Sequence, residues 1–125
     1  MEIIVTDERD ERFIEFCDSF GCFIGEPQVV LLLMNFKKTV GCTSFKVYDS
    51  DSAEITTLFL NSYDERERIA YKLIRQLEKI AVDYGFKSVL VSFDSREDIL
   101  VDIFEKLDYE FIDDVWMKKE FKSLV

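Results

Sequence analysis

No histidine occurs anywhere in the 125 residues, so proton transfer falls to a carboxylate, tyrosine, cysteine, lysine or water. An unbroken run of charge spans Asp64-Glu65-Arg66-Glu67-Arg68. Guanidinium groups at the start of a helix can grip a phosphate with paired hydrogen bonds. The same residues also suit a solvated first turn, where acidic groups favour the helix dipole. Cys17, Cys22 and Cys42 are odd in number and lack CxxC spacing, so neither a disulfide framework nor a zinc site is expected. Buried free thiols are the expectation, with no metal.

Composition limits what these groups can serve. With 48% hydrophobic and 34% charged positions, the chain suits one domain over residues 1–125. A single proline and four glycines leave no linker. The longest apolar run, Val29 to Met34, falls well short of the roughly 20 residues that cross a bilayer. The N-terminal MEIIVTDERDERF has no basic region ahead of an apolar core, so a soluble cytoplasmic protein is expected. A net charge of −10 argues against nucleic acid or an anionic membrane and makes a basic protein partner electrostatically easier.

Periodicity and turn residues set the elements that must position the chemistry. A strand is predicted at Glu2 to Thr6, then a helix from Asp10 to Phe20 with Phe13, Ile14, Cys17 and Phe20 on one face, ended by Gly21 and Gly25-Glu26-Pro27. Strands follow at Gln28 to Phe36, Thr39 to Tyr48 and Ala53 to Asn61, joined by turns at Lys37-Lys38 and Asp49-Ser50-Asp51-Ser52, as an antiparallel meander. A long amphipathic helix from Asp64 to Tyr84 buries Ile69, Leu73, Leu77, Ile80, Ala81 and Tyr84, with Gly85 closing it. Ser88 to Phe93 reads as a central strand, apolar in succession at Val89, Leu90 and Val91. A last helix begins at Ser95, with Asp98 as a capping partner and Ile99, Leu100, Ile103, Phe104 and Leu107 turned inward. Strands around Tyr109 to Ile112 and Val115 to Phe121 complete a β-α-β-β-β-α-β-α-β-β order, an α/β (α+β) class with a mixed central sheet.

That order and the ungapped text from Val40 to Phe121 resemble the GNAT superfamily of acyl-CoA-dependent N-acetyltransferases. The stretches that carry the resemblance are VGCTSFKVYDS, AEITTLFLNSYDERERIAYKLIRQLEKIAVDYGFKSVLVSF and IFEKLDYEFIDDVWMKKEF. The resemblance implies acetyl-CoA as cofactor and an amine on a small molecule or protein as acceptor. It places Glu54 as the base that takes a proton from the amine, directly or through water. Main-chain groups around Leu58 and Leu60 would hold the pantetheine arm. The helix start, where Arg66, Arg68, Ile69 and Ala70 stand, would receive the pyrophosphate.

The sequence departs from the family's motifs at defined positions. Its Arg/Gln-x-x-Gly-x-Gly/Ala loop reads Glu65-Arg66-Glu67-Arg68-Ile69-Ala70, where only Ile69 and Ala70 conform. Arg68 adds bulk at a glycine position, and Asp64, Glu65 and Glu67 set carboxylates beside an expected anion. On the last helix Glu97, Leu100, Phe104, Asp108 and Tyr109 stand for the family's asparagine, alanine, proton-donating tyrosine, glycine and phenylalanine. Two functions therefore stand side by side: an N-acyltransferase, and a catalytically inactive binding or regulatory module on the same scaffold that does not use coenzyme A. A single helix between the first two strands implies an open acceptor side, or one completed by a second subunit in a homodimer.

Overall fold

The computed structural model describes residues 1–19, 28–61, 66–95 and 98–122. Its elements, in order, are β1 (Glu2–Thr6), α1 (Glu11–Ser19), β2 (Val29–Asn35), β3 (Lys38–Val47), β4 (Ser52–Leu60), α2 (Arg66–Asp83), β5 (Ser88–Ser92), α3 (Val101–Lys106), β6 (Glu110–Phe111) and β7 (Trp116–Glu120). This is the order expected from the sequence.

The strands form one sheet in the order β1-β2-β3-β4-β5-β7-β6. Only β4 and β5 run parallel, since α2 carries the chain from the end of one back to the start of the other. Alternation along β2 assigns the two faces. Val29, Leu31 and Leu33 share one core with Leu73, Ile74 and Leu77 of α2, which extends to Ile103 and Phe104 of α3. Val30, Leu32 and Met34 pack with Phe13 and Cys17 of α1 and with Cys42. Because both faces are covered, the strand reads as an unbroken apolar run.

Gly41 fixes how closely α2 approaches. A side chain there would meet Ile69 Cγ2 at 3.1 Å, Leu73 Cδ1 at 3.2 Å and Leu60 Cδ2 at 3.3 Å. The first turns of α2 therefore lie directly on β3.

Several expectations are corrected. Phe13, Phe16 and Cys17 form the buried stripe of α1, while Ile14 is 45% exposed. The i, i+3, i+4 spacing that starts at Phe13 selects Phe16 and Cys17, and Ile14 falls beside it. The β2–β3 turn centres on Phe36 and Lys37, with Lys38 already paired to Asn35. Tyr84 stands at the reversal that ends α2 and is 64% exposed, not inward. The last helix begins later than Ser95: the Asp98 main-chain N–H bonds Ser95 O, its carboxylate accepts from Leu100 N at 2.9 Å, and its carbonyl accepts from Val101 N. That local turn leaves Ile99 64% exposed and starts α3 at Val101.

Cys17 and Cys42 are buried free thiols. A hydrogen bond between them, from α1 to β3, lowers the Cys17 thiol and, with burial, raises that of Cys42. Cys22, Phe20, Gly21 and Gly25 to Pro27 lie outside the described residues.

Candidate active site

Parallel pairing of β4 with β5 covers only Ser52 with Ser88, Ala53 with Val89 and Glu54 with Leu90. Beyond Glu54, β4 continues to Leu60 with no strand partner on that side among the described residues. The strands part into a wedge-shaped cavity of about 190 Å³, walled by Ile55 to Leu58 on one side and Val91 to Asp94 on the other, with Asp98, Leu100 and Phe104 completing it. Two larger hollows share Val82, Phe121 and Lys122: one of about 610 Å³ by the start of β5 and one of about 890 Å³ along β6 and β7. None of the predicted cofactor or base residues lines either.

A bulge re-aims β4 at the wedge. Ser44 of β3 faces Thr57, and the next residue, Phe45, faces Ile55, so Thr56 is the extra residue. Ser44 Oγ lies 2.7 Å from Thr56 Oγ1 and also bonds the Thr57 hydroxyl. Thr43 Oγ1 donates to Thr57 O at 2.8 Å. Ser44, Thr56 and Thr57 were not among the expected site residues, although the spacing carries the signal: the inward apolar residues Ala53, Ile55, Leu58 and Leu60 step by two, three and two, and the step of three marks the bulge.

The predicted residues fall in three places. Glu54 is half-buried at the last paired position, opposite Lys46 of β3 and Leu90 of β5, and its neighbours Ala53 and Ile55 face α2. Its own side chain is therefore on the α1 side of the sheet. No hydrogen bond or ion pair reaches its carboxylate from the described residues. Leu58 lines the wedge, whereas Leu60 is buried against Gly41 and does not. Ile69 and Ala70 are 2% and 0% exposed, so they offer main-chain groups only.

At the beginning of α2, Arg66 is half-buried and Arg68 exposed, and each makes an interaction within the chain. Glu67 is held by Lys106 of α3 at 2.6 Å, a contact that raises the Lys106 ammonium above its ordinary range. One of the carboxylates expected to oppose a phosphate thus has its charge met. Asp64, Glu65 and Glu97 lie outside the described residues.

Phe104 is 1% exposed and packs edge-on against Phe93 at 5.5 Å and Tyr109 at 5.0 Å, so no phenol stands at that wall of the wedge. Tyr109 has its own partner away from the cavity. Its hydroxyl donates to Glu78 Oε2 at 2.9 Å, and Lys119 Nζ meets Glu78 Oε1 at 3.1 Å. Among the described residues, no group of His, Cys, Asp or Glu is placed to hold a metal ion. No described helix is long and apolar enough to cross a membrane.

The sequence matches no protein-family model, and no curated protein matches it. Solved structures do. An aminoglycoside 6'-N-acetyltransferase from Enterococcus faecium superposes with a TM-score of 0.75 at 15% identity, covering 96% of this chain and 97% of its own. An N-acetyltransferase from Staphylococcus aureus Mu50 gives 0.78 at 11% identity, over 95% and 96%. A GNAT family acetyltransferase from Elizabethkingia anophelis with acetyl-CoA bound gives 0.70 at 10% identity, over 95% and 98%. With its parted parallel strands and this correspondence over nearly the whole chain, the protein has the fold of the GNAT N-acetyltransferases.

Proposed function

We propose that the protein is an acyl-CoA-dependent N-acyltransferase that acetylates an amine on a small molecule or a protein. The observation that carries this reading is the wedge, where β4 runs past its last pairing with β5 beside the Thr56 bulge. An extended pantetheine arm needs unpaired strand main chain, and residues 55–60 offer it. The start of α2 offers main-chain N–H groups and the Arg66 and Arg68 guanidinium groups to a pyrophosphate. Acetyl-CoA supplies the activated acyl group when bound.

The chain's own residues then have separate tasks. Glu54 takes a proton from the acceptor ammonium, directly or through water, on the α1 side of the sheet. The main-chain N–H of Leu58, which lines the wedge, would face the carbonyl oxygen as charge grows on it. The leaving sulfur is protonated by water or by the acceptor, since Phe104 has no proton to give. Calorimetry with acetyl-CoA, followed by thiol-release assays on a panel of amines, tests the reading. Glu54→Gln is expected to keep acetyl-CoA binding and lose about 100-fold in turnover; unchanged turnover contradicts the assignment of the base.

A second reading, a non-catalytic module on the same scaffold, draws on Phe104 at the wedge wall and on the acidic surface. It is separated from the first by the same calorimetry. A module binds no acetyl-CoA at millimolar ligand and instead retains a basic partner that is lost when surface carboxylates are reversed.

A further inference from the structure

We infer that Thr56 is a catalytic hydrogen-bond donor to the acyl carbonyl oxygen, its hydroxyl aimed by Ser44 and Thr57; this rests on the acyl-CoA reading above. The direction of the hydrogen bonds follows from counting protons. Thr57 is 6% exposed, and its hydroxyl has Ser44 as its partner among the described residues, so its hydrogen goes to Ser44 Oγ. Ser44 is wholly buried and has one hydrogen of its own, which then goes to Thr56 Oγ1 at 2.7 Å. Reversing the chain would leave the Thr57 hydrogen with no acceptor in the protein, and Thr57, though it also lines the wedge, is only 6% exposed where Thr56 is half-buried.

Thr56 Oγ1 is therefore already an acceptor inside the protein, and its own O–H is the one left for a partner outside it. Thr56 is half-buried, is the bulged residue of β4 and lines the wedge, so that hydrogen is offered at the cavity wall. A carbonyl oxygen gaining negative charge during amine attack is the group that such a donor would favour.

The same count excludes a role in protonating the leaving sulfur. Passing the Thr56 proton outward and refilling it from Ser44 and Thr57 would end in a buried alkoxide, because nothing in the described structure resupplies Thr57. The cluster can donate a hydrogen bond but cannot deliver a proton.

Calorimetry with acetyl-CoA and with coenzyme A, on the wild type, Thr56→Val and Thr56→Ser, tests this without requiring an acceptor. The wild type is expected to prefer acetyl-CoA by about fivefold, the worth of one hydrogen bond. Thr56→Val, close to isosteric, should diminish that preference while keeping the affinity for coenzyme A, and Thr56→Ser should retain it. Equal affinities in the wild type, or an undiminished preference in Thr56→Val, overturn the role of Thr56 and leave the acyltransferase reading standing. Failure of the wild type to bind either ligand overturns both.

Discussion

Asp108 and Gly85 occupy the same place at the ends of two helices. Each has a left-handed backbone, φ 72° and 91°. In each case the residue itself bonds back to the third carbonyl before it (Glu105 or Val82), and the following residue bonds to the fifth carbonyl before it (Phe104 or Ala81). The aromatic residue after Asp108 then packs on Phe104. Gly85 was legible as a cap in the sequence. Asp108 stood out only as a departure from a family glycine, and the structure shows that the departure keeps the required backbone shape. Asp108→Gly is expected to stabilise the fold by about 1 kcal/mol in urea titrations, and Asp108→Val to destabilise it, because a β-branched residue resists positive φ.

Tyr109 shows what the sequence could not supply at this scale. It was read as the start of a strand and as the stand-in for a family phenylalanine, and its hydroxyl's partner lies on α2, 31 residues earlier in the chain. Burial, reinforced by the Glu78 carboxylate, holds its phenol well above the ordinary range. A group whose folded pKa is raised contributes fully below its unfolded value, about 10, and the contribution is lost as pH climbs from there through the folded value. Tyr109→Phe is expected to cost about 2 kcal/mol at neutral pH, where Glu78 loses a donor, and to flatten the alkaline fall in stability. Denaturant titrations across that range check both effects.

Among elements, the pairing of α2 with β3 depends on one missing side chain. Gly41→Val would drive Ile69 and Leu73 outward and is expected to destabilise by about 1–3 kcal/mol. It should also weaken acetyl-CoA binding, since the start of α2 moves with them. A cavity-neutral exchange such as Leu77→Met, deeper along α2, should change stability by less than about 1.5 kcal/mol and leave binding unaffected. Strand identities and order were legible because their apolar residues alternate or run unbroken. The start of α3 was not, because Ile99 mimics the helical stripe while Asp98 bonds its own neighbours' main chain. The β4 bulge was written in the spacing of Ile55 and Leu58, yet only its pairing against Ser44 and Phe45 shows which residue is extra.

For the whole molecule, the sheet serves as a divider. α2 and α3 pack on one face, where the arm of a cofactor would pass from the wedge towards Arg66, and Glu54 stands on the other. On the acyltransferase reading proposed above, that separation would let cofactor and acceptor enter from opposite sides and meet where β4 leaves β5. The fold was readable from the chain because many local patterns agree on it, whereas the site depends on a gap between strands, which no residue pattern encodes directly. The most direct test is a crystal structure after soaking with acetyl-CoA. The account predicts density for the acyl-pantetheine arm between β4 and β5, with the carbonyl oxygen beside Thr56 and Leu58 and the pyrophosphate at the start of α2. A closed, unchanged wedge at millimolar acetyl-CoA would contradict it.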